Sequence, residues 1–149
     1  MRPISNLTRV KVLLTDGMGY ELDDPHTKKI FKIIKEFSIL DINYYHRSSA
    51  CGGSVTSWLC IKLTSRCLLL LSSGGTINFS ITKRGEFGTS PMFRVTHKVK
   101  IDKVIKLIKE GITWNWETKK YWFKYLRNNK SLRDIKRFMV LKTFGGAKQ

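Results

Sequence analysis

Acidic residues are scarce: 11 Asp plus Glu face 28 Lys plus Arg over 149 residues, for a formal net charge of +17. Between residues 42 and 85 there is no carboxylate side chain at all. Long apolar runs are also missing. The longest, Cys67 to Leu71, is five residues, against the roughly 18 that a bilayer crossing needs. Met1 to Asn6 lack the apolar stretch of a secretory signal. Cysteine is sparse: Cys51, Cys60 and Cys67 form no C-x-x-C and have no paired His, so a zinc site would lack both a fourth ligand and the usual spacing. Free thiols in a reducing compartment fit better.

What is present bounds the rest. A 42% hydrophobic fraction with eight Phe, five Tyr and four Trp can fill a core, which argues against wholesale disorder. The length suits a single domain spanning residues 1–149. So large an excess of one sign repels itself and favours a polyanionic partner, nucleic acid or an acidic membrane surface. No segment reads as a basic amphipathic anchor, which favours nucleic acid and no membrane. The charge is uneven: residues 1–75 hold 10 basic and 6 acidic residues, residues 76–149 hold 18 and 5. Solvated lysine faces would account for single lysines but not for the missing counter-charges.

The residue pattern gives the elements. Arg9 to Leu14 alternates charged and apolar positions and suits a strand, followed by a turn at Asp16-Gly17. Asp24-Pro25 starts a helix, with Ile30, Ile33, Ile34 and Phe37 on its inner side. Residues 38–45 alternate again as a second strand. Leu59 to Leu63 and Cys67 to Leu71 flank Thr64-Ser65-Arg66 and suggest a hairpin. Ile77 to Thr82 is a further strand. Phe93 to Ile101 alternates strictly, placing Arg94, Thr96, Lys98 and Lys100 on one face as a ladder of cations suited to phosphates. Residues 101–110 fit a helix ending at Gly111 or a continued strand. Asn115 can cap a helix through Asn128 with Trp122, Tyr125 and Leu126 inward, and residues 137–142 suit a last strand before a basic tail at 143–149.

Catalytic signals are thin. Gly17-Met18-Gly19 lacks the third glycine of a dinucleotide loop and reads as a tight turn. Asp16, Glu21, Asp23 and Asp24 form an acidic knot that would suit either a nuclease's divalent cation or the start of a lysine-rich helix. His97 has no nucleophile or acid placed beside it. Trp114, Trp116, Tyr121, Trp122 and Phe123 would serve as core or as a base-stacking platform, with core the better fit. No enzyme, cofactor, metal or small-molecule substrate is expected.

The strand-helix-strand-strand-helix-strand order resembles small-subunit ribosomal protein ten. The resemblance rests on Arg9-Val10-Lys11-Val12-Leu13-Leu14, on Thr27-Lys28-Lys29-Ile30, and on Phe79-Ser80-Ile81-Thr82-Lys83-Arg84. It continues in the return through Phe93, Thr96-His97-Lys98 and Ile101-Asp102. It covers about two-thirds of the chain. The family's Gly-Pro-x-x-x-Pro-Thr stretch is absent, and residues 47–76 stand there as an insertion. The resemblance implies an α+β, ferredoxin-like four-stranded antiparallel sheet with two helices on one face and a long central hairpin loop. It further implies a structural constituent of the small ribosomal subunit, here an organellar, mitochondrial member. Its partners would be ribosomal RNA and neighbouring small-subunit proteins, with Lys83, Arg84, Arg94, His97, Lys98 and Lys100 facing RNA. Two other readings stay open: a stand-alone basic nucleic-acid-binding module and a metal-dependent nuclease.

Overall fold

Ser5 decides the first element. Its hydroxyl accepts the backbone N–H of Thr8 at 3.1 Å and caps a helix, α1 (Asn6–Val12). A single π-helical turn, Leu13–Gly17, continues it. Val10 and Leu14 are fully buried and Met18 nearly so, a four-residue spacing that belongs to a helix. The expected strand at 9–14 is therefore helical: Val10, Val12 and Leu14 satisfy both periods, and the cap selects one. Val12 is left 49% exposed.

The computed structural model describes residues 3–48, 55–81, 92–111, 119–128, 131–134 and 137. Within them α2 (Pro25–Ile34) begins as the sequence indicates. Asp24 accepts the N–H of His26 at 2.9 Å, Pro25 takes the first turn, and Ile30, Ile33 and Ile34 are buried. Five strands follow: β1 (Asp41–Ser48), β2 (Val55–Thr64), β3 (Cys67–Ser72), β4 (Ile77–Ile81) and β5 (Phe93–Arg94). They pair antiparallel in the order β1-β2-β3-β4-β5, each with its neighbour in sequence.

The hairpin expected around Thr64-Ser65-Arg66 is present as β2 and β3. Ser72 to Ile77 turns through Gly75, whose φ of +88° is open to glycine at little cost. The fold is α+β, but among the described residues the sheet has five strands in simple meander order, where the resemblance implied a ferredoxin-like sheet of four. Residues 55–72, which that comparison sets aside as an insertion, form two central strands. Of the two, β3 is buried at every position because Cys67 to Leu71 is apolar throughout.

Two helices complete the described chain, α3 (Ile101–Lys109) and α4 (Lys119–Arg127). The ambiguous 101–110 stretch resolves as helix, ended by Gly111 at φ +68°. Lys103 Nζ donates to the carbonyl oxygens of Tyr125 (2.9 Å) and Asn128, which satisfies the end of α4. Leu132 to Asp134 and Arg137 are helical, so Arg137 does not open a strand; residues 138–142 lie outside the described residues, as do Asn115, Trp114 and Trp116.

One apolar cluster joins these elements. Val10 and Leu14 from the first helix, Ile30, Ile33 and Ile34 from α2, Val104 and Ile108 from α3, and Trp122 and Leu126 from α4 belong to it. From the sheet it takes Leu59, Ile61, Leu69, Leu71, Ile77, Phe79 and Phe93. Those strand residues share one face by register, and the described helices pack against that face. Among the described residues no helix is long and apolar enough to cross a membrane.

Candidate nucleic-acid interface

Strand register fixes what lies on the sheet face turned away from the helices. Side chains directly opposite in antiparallel strands share a face. One row therefore runs Asn43, Cys60, Leu70, Asn78, Arg94 across all five strands. A second row is Asp41, Lys62, Leu68, Ser80, and a third is Tyr45, Trp58, Ser72. Leu68, Leu70, Ser72 and Ser80 are buried, so β3 is covered on both sides. The face opens toward its edges: Asp41, Asn43 and Arg94 are exposed, and Tyr45, Trp58, Cys60, Lys62 and Asn78 are half-buried.

Among the described side chains this face carries two aromatic rings, two cations, two amides and the Asp41 carboxylate, which sits opposite Lys62. An indole placed on a polar sheet face, neighboured in register by Tyr45, offers a flat surface to an unsaturated ring. Lys62 and Arg94 supply positive charge on either side of the buried strip. Burial pushes the Cys60 thiol up, and the nearby Asp41 carboxylate adds to the shift, which keeps that sulfur protonated and unreactive. Asp41 itself accepts the N–H of Ile42 at 2.9 Å.

The expected cation ladder at 93–101 breaks up. Arg94 alone among its members sits on a strand. Val95 N–H still donates to Ile77 O at 2.8 Å, and there β4 runs out, because Ile77 is its first residue. Without a partner the chain turns at His97-Lys98, with Val99 N–H on Thr96 O at 3.1 Å, and enters α3. His97, Lys98 and Lys100 are exposed on that turn and at the helix start, not in line with Arg94. Lys83 and Arg84 lie outside the described residues.

Compared with protein-family models, curated proteins and solved structures, the chain has no match in any of the three.

The acidic knot is dispersed. Asp24 is engaged as the cap of α2, Asp16, Glu21 and Asp23 are exposed, and among the described residues no group of three His, Cys, Asp or Glu side chains is placed to hold a metal ion. Asp16 differs from the others in its support. It rides on the π-helical turn, whose Gly17 carbonyl accepts the Tyr44 hydroxyl at 3.1 Å. Three residues on, the Tyr20 hydroxyl donates to Ser72 O at 2.5 Å. Both tethers reach the end of the sheet that holds Tyr45, Trp58 and Ser72. Burial raises the Tyr20 phenol's pKa, which keeps it a donor.

Of the aromatic cluster, the described members Tyr121, Trp122 and Phe123 pack as core, while Trp114 and Trp116 lie outside the described residues. Tyr121 and Trp122 are buried, and Phe123 stacks on Phe93 with ring centroids 4.4 Å apart. The residues that sequence reasoning passed over are Asn43, Tyr45, Trp58, Lys62 and Asn78. The signal for the β2 pair was there: Trp58, Cys60, Lys62 and Thr64 alternate with Leu59, Ile61 and Leu63 over the last seven residues of the strand.

Proposed function

We propose that this protein is a nucleic-acid-binding module that engages its partner through the outer face of the sheet. The observation that carries the reading is Trp58. It stays half-exposed on a strand whose other face buries Leu59, Ile61 and Leu63, with Tyr45 directly opposite it and Lys62 one turn of the pleat beyond Cys60 on the same face. A net charge of +17 supplies the long-range attraction. The test is a fluorescence-anisotropy titration of single-stranded and duplex RNA and DNA at several salt concentrations. Trp58→Ala should weaken binding by about 1–3 kcal/mol for a lost base stack. Unchanged affinity in that variant sinks the proposal.

A place in the small subunit of an organellar ribosome is the narrower form of the same proposal. It leaned on a strand at 9–14 and a return strand through 101. The first is α1 and the second leaves the sheet after Val95. The charge and the Thr96-His97-Lys98 resemblance still support it. Sedimentation with small ribosomal subunits at moderate salt is its test, and protein left in the supernatant removes it.

A second reading, divalent-cation-dependent cleavage of the bound nucleic acid, is favoured by the tethered Asp16. A π-helical turn is an uncommon and often functional distortion, and Mg²⁺ is commonly held by one or two carboxylates together with substrate phosphates. Incubation of plasmid DNA with Mg²⁺ should then give nicking that Asp16→Asn abolishes. Equal nicking by both proteins, or none, discards it.

A further inference from the structure

Between α1 and α2, on the helix side of the molecule, lies an open groove of about 520 Å³. Leu7, Leu22 and Phe31 line it with apolar surface, and Lys11, Lys28, Lys32 and Lys35 border it. Leu7 is 37% and Leu22 42% exposed. Lys28, Lys32 and Lys35 recur at positions i, i+4 and i+7, so they form one stripe along two turns of α2, about 10 Å long. Lys11 stands on α1, one turn from Leu7.

Charge balance in this groove is one-sided. Lys32 meets Asp102 at 3.1 Å in an exposed ion pair. The ammonium groups of Lys11, Lys28 and Lys35 have no hydrogen-bond or ion-pair partner among the described residues.

We propose that this groove docks an amphipathic helix of a partner protein, with apolar residues along its centre and Asp or Glu along its flanks. Each part of that occupant answers a part of the site. An apolar stripe at i, i+3/i+4, i+7 covers Leu7, Leu22 and Phe31, which water now wets. Carboxylates on the flanks meet the lysine borders. A nucleic-acid backbone would satisfy the lysines but leave the leucines against phosphate. A bilayer would require apolar groups that protrude, whereas these lie in a concavity between two helices. The site is separate from the outer sheet face, so it stands independently of the nucleic-acid proposal.

The probe is a fluorescein-labelled synthetic helix of about 15 residues, long enough for four turns, with a Leu stripe flanked by Glu. It is titrated against the full chain by anisotropy. Saturable binding is expected. Lys11→Glu with Lys35→Glu should weaken it about tenfold, since two exposed pairs are turned into repulsions. A peptide with Lys in place of Glu should bind that double variant better than it binds the parent, a rescue that an unfolded variant cannot give. Three results overturn the proposal: no saturation with the Glu peptide, equal binding of a Glu peptide whose leucines are replaced by Ser, or affinity unchanged by the charge reversal. Loss of phosphatidylserine-vesicle or duplex-RNA binding in the double variant, with no peptide binding by the parent, reassigns the groove and also overturns it.

Discussion

The Tyr44 hydroxyl donates to the Gly17 carbonyl at 3.1 Å, pinning the π-helical turn that carries Asp16 to the first strand of the sheet. The same contact crowds Gly17: a Cβ there would lie 3.1 Å from Tyr44 Oη and 3.3 Å from its Cζ, so the ring would have to give by a few tenths of an ångström. Tyr44→Phe should cost about 1 kcal/mol of stability, the usual net worth of such a bond. Gly17→Ala should be better tolerated when Tyr44 is Phe than in the parent, because the nearest atom is then gone. Urea unfolding of both single variants and the double variant should give a coupling of about 0.5 kcal/mol or more; strict additivity would mean the two residues are energetically independent.

Binding electrostatics should follow the sheet and not the vanished ladder. Lys62→Gln and Arg94→Gln should each lower the slope of log K against log salt by about one phosphate contact. Lys98→Gln with Lys100→Gln, on the turn and helix start, should lower it less than Lys62→Gln with Arg94→Gln. The reverse order would move the interface to the 97–100 turn.

Cys67 ties stability to alkaline pH. Burial holds its thiol far above the ordinary range, so the folded chain keeps the proton while the unfolded chain loses it above roughly pH 8.5. The unfolded state then binds fewer protons, and stability falls as pH rises. For this one group the slope is about 1.4 kcal/mol per pH unit. Cys67→Val should therefore lose less stability than the parent between pH 8 and pH 10. Parallel pH dependences in the two proteins would show that the thiol is not shielded.

The contact of Phe93 with Phe123 joins the short edge strand to α4. Phe93 is fully buried, and Phe93→Ala should cost about 3–5 kcal/mol. Hydrogen exchange would show the loss concentrated in α4 and β5 if the ring is their common anchor. A uniform loss across the sheet would contradict that.

Much of this fold is legible residue by residue. Asp24-Pro25 and the Ile30, Ile33, Ile34 spacing define α2, because capping and helical burial are local properties. Cys67 to Leu71 announces a strand buried on both sides for the same reason. The two misread strands have different causes, one in strand pairing, which is not local, and one in a cap just outside the window. Residues 93–101 keep a perfect two-residue period, yet pairing stops one residue beyond Arg94 because β4 begins at Ile77. Residues 9–14 fit either period, and the deciding atom is the hydroxyl of Ser5, outside that window. The candidate interface was obscured differently. Leu59, Ile61 and Leu63 draw attention to the buried side of β2, while the side that carries Trp58 and Lys62 becomes visible only when register sets it beside Tyr45, Asn78 and Arg94.

Meander order has a consequence for how the chain acquires its structure. Every strand pairs with the next one along, so no closure spans more than the eleven residues 82–92 between β4 and β5, and the chain entropy involved is small. The first helices precede the sheet and the last ones follow it. During synthesis all five strands and the Val10, Leu14, Ile30 and Ile33 cover are available before Val104 or Trp122 has been made. The half of the core under α1 and α2 can thus assemble first, with α3 and α4 sealing the remainder as they emerge.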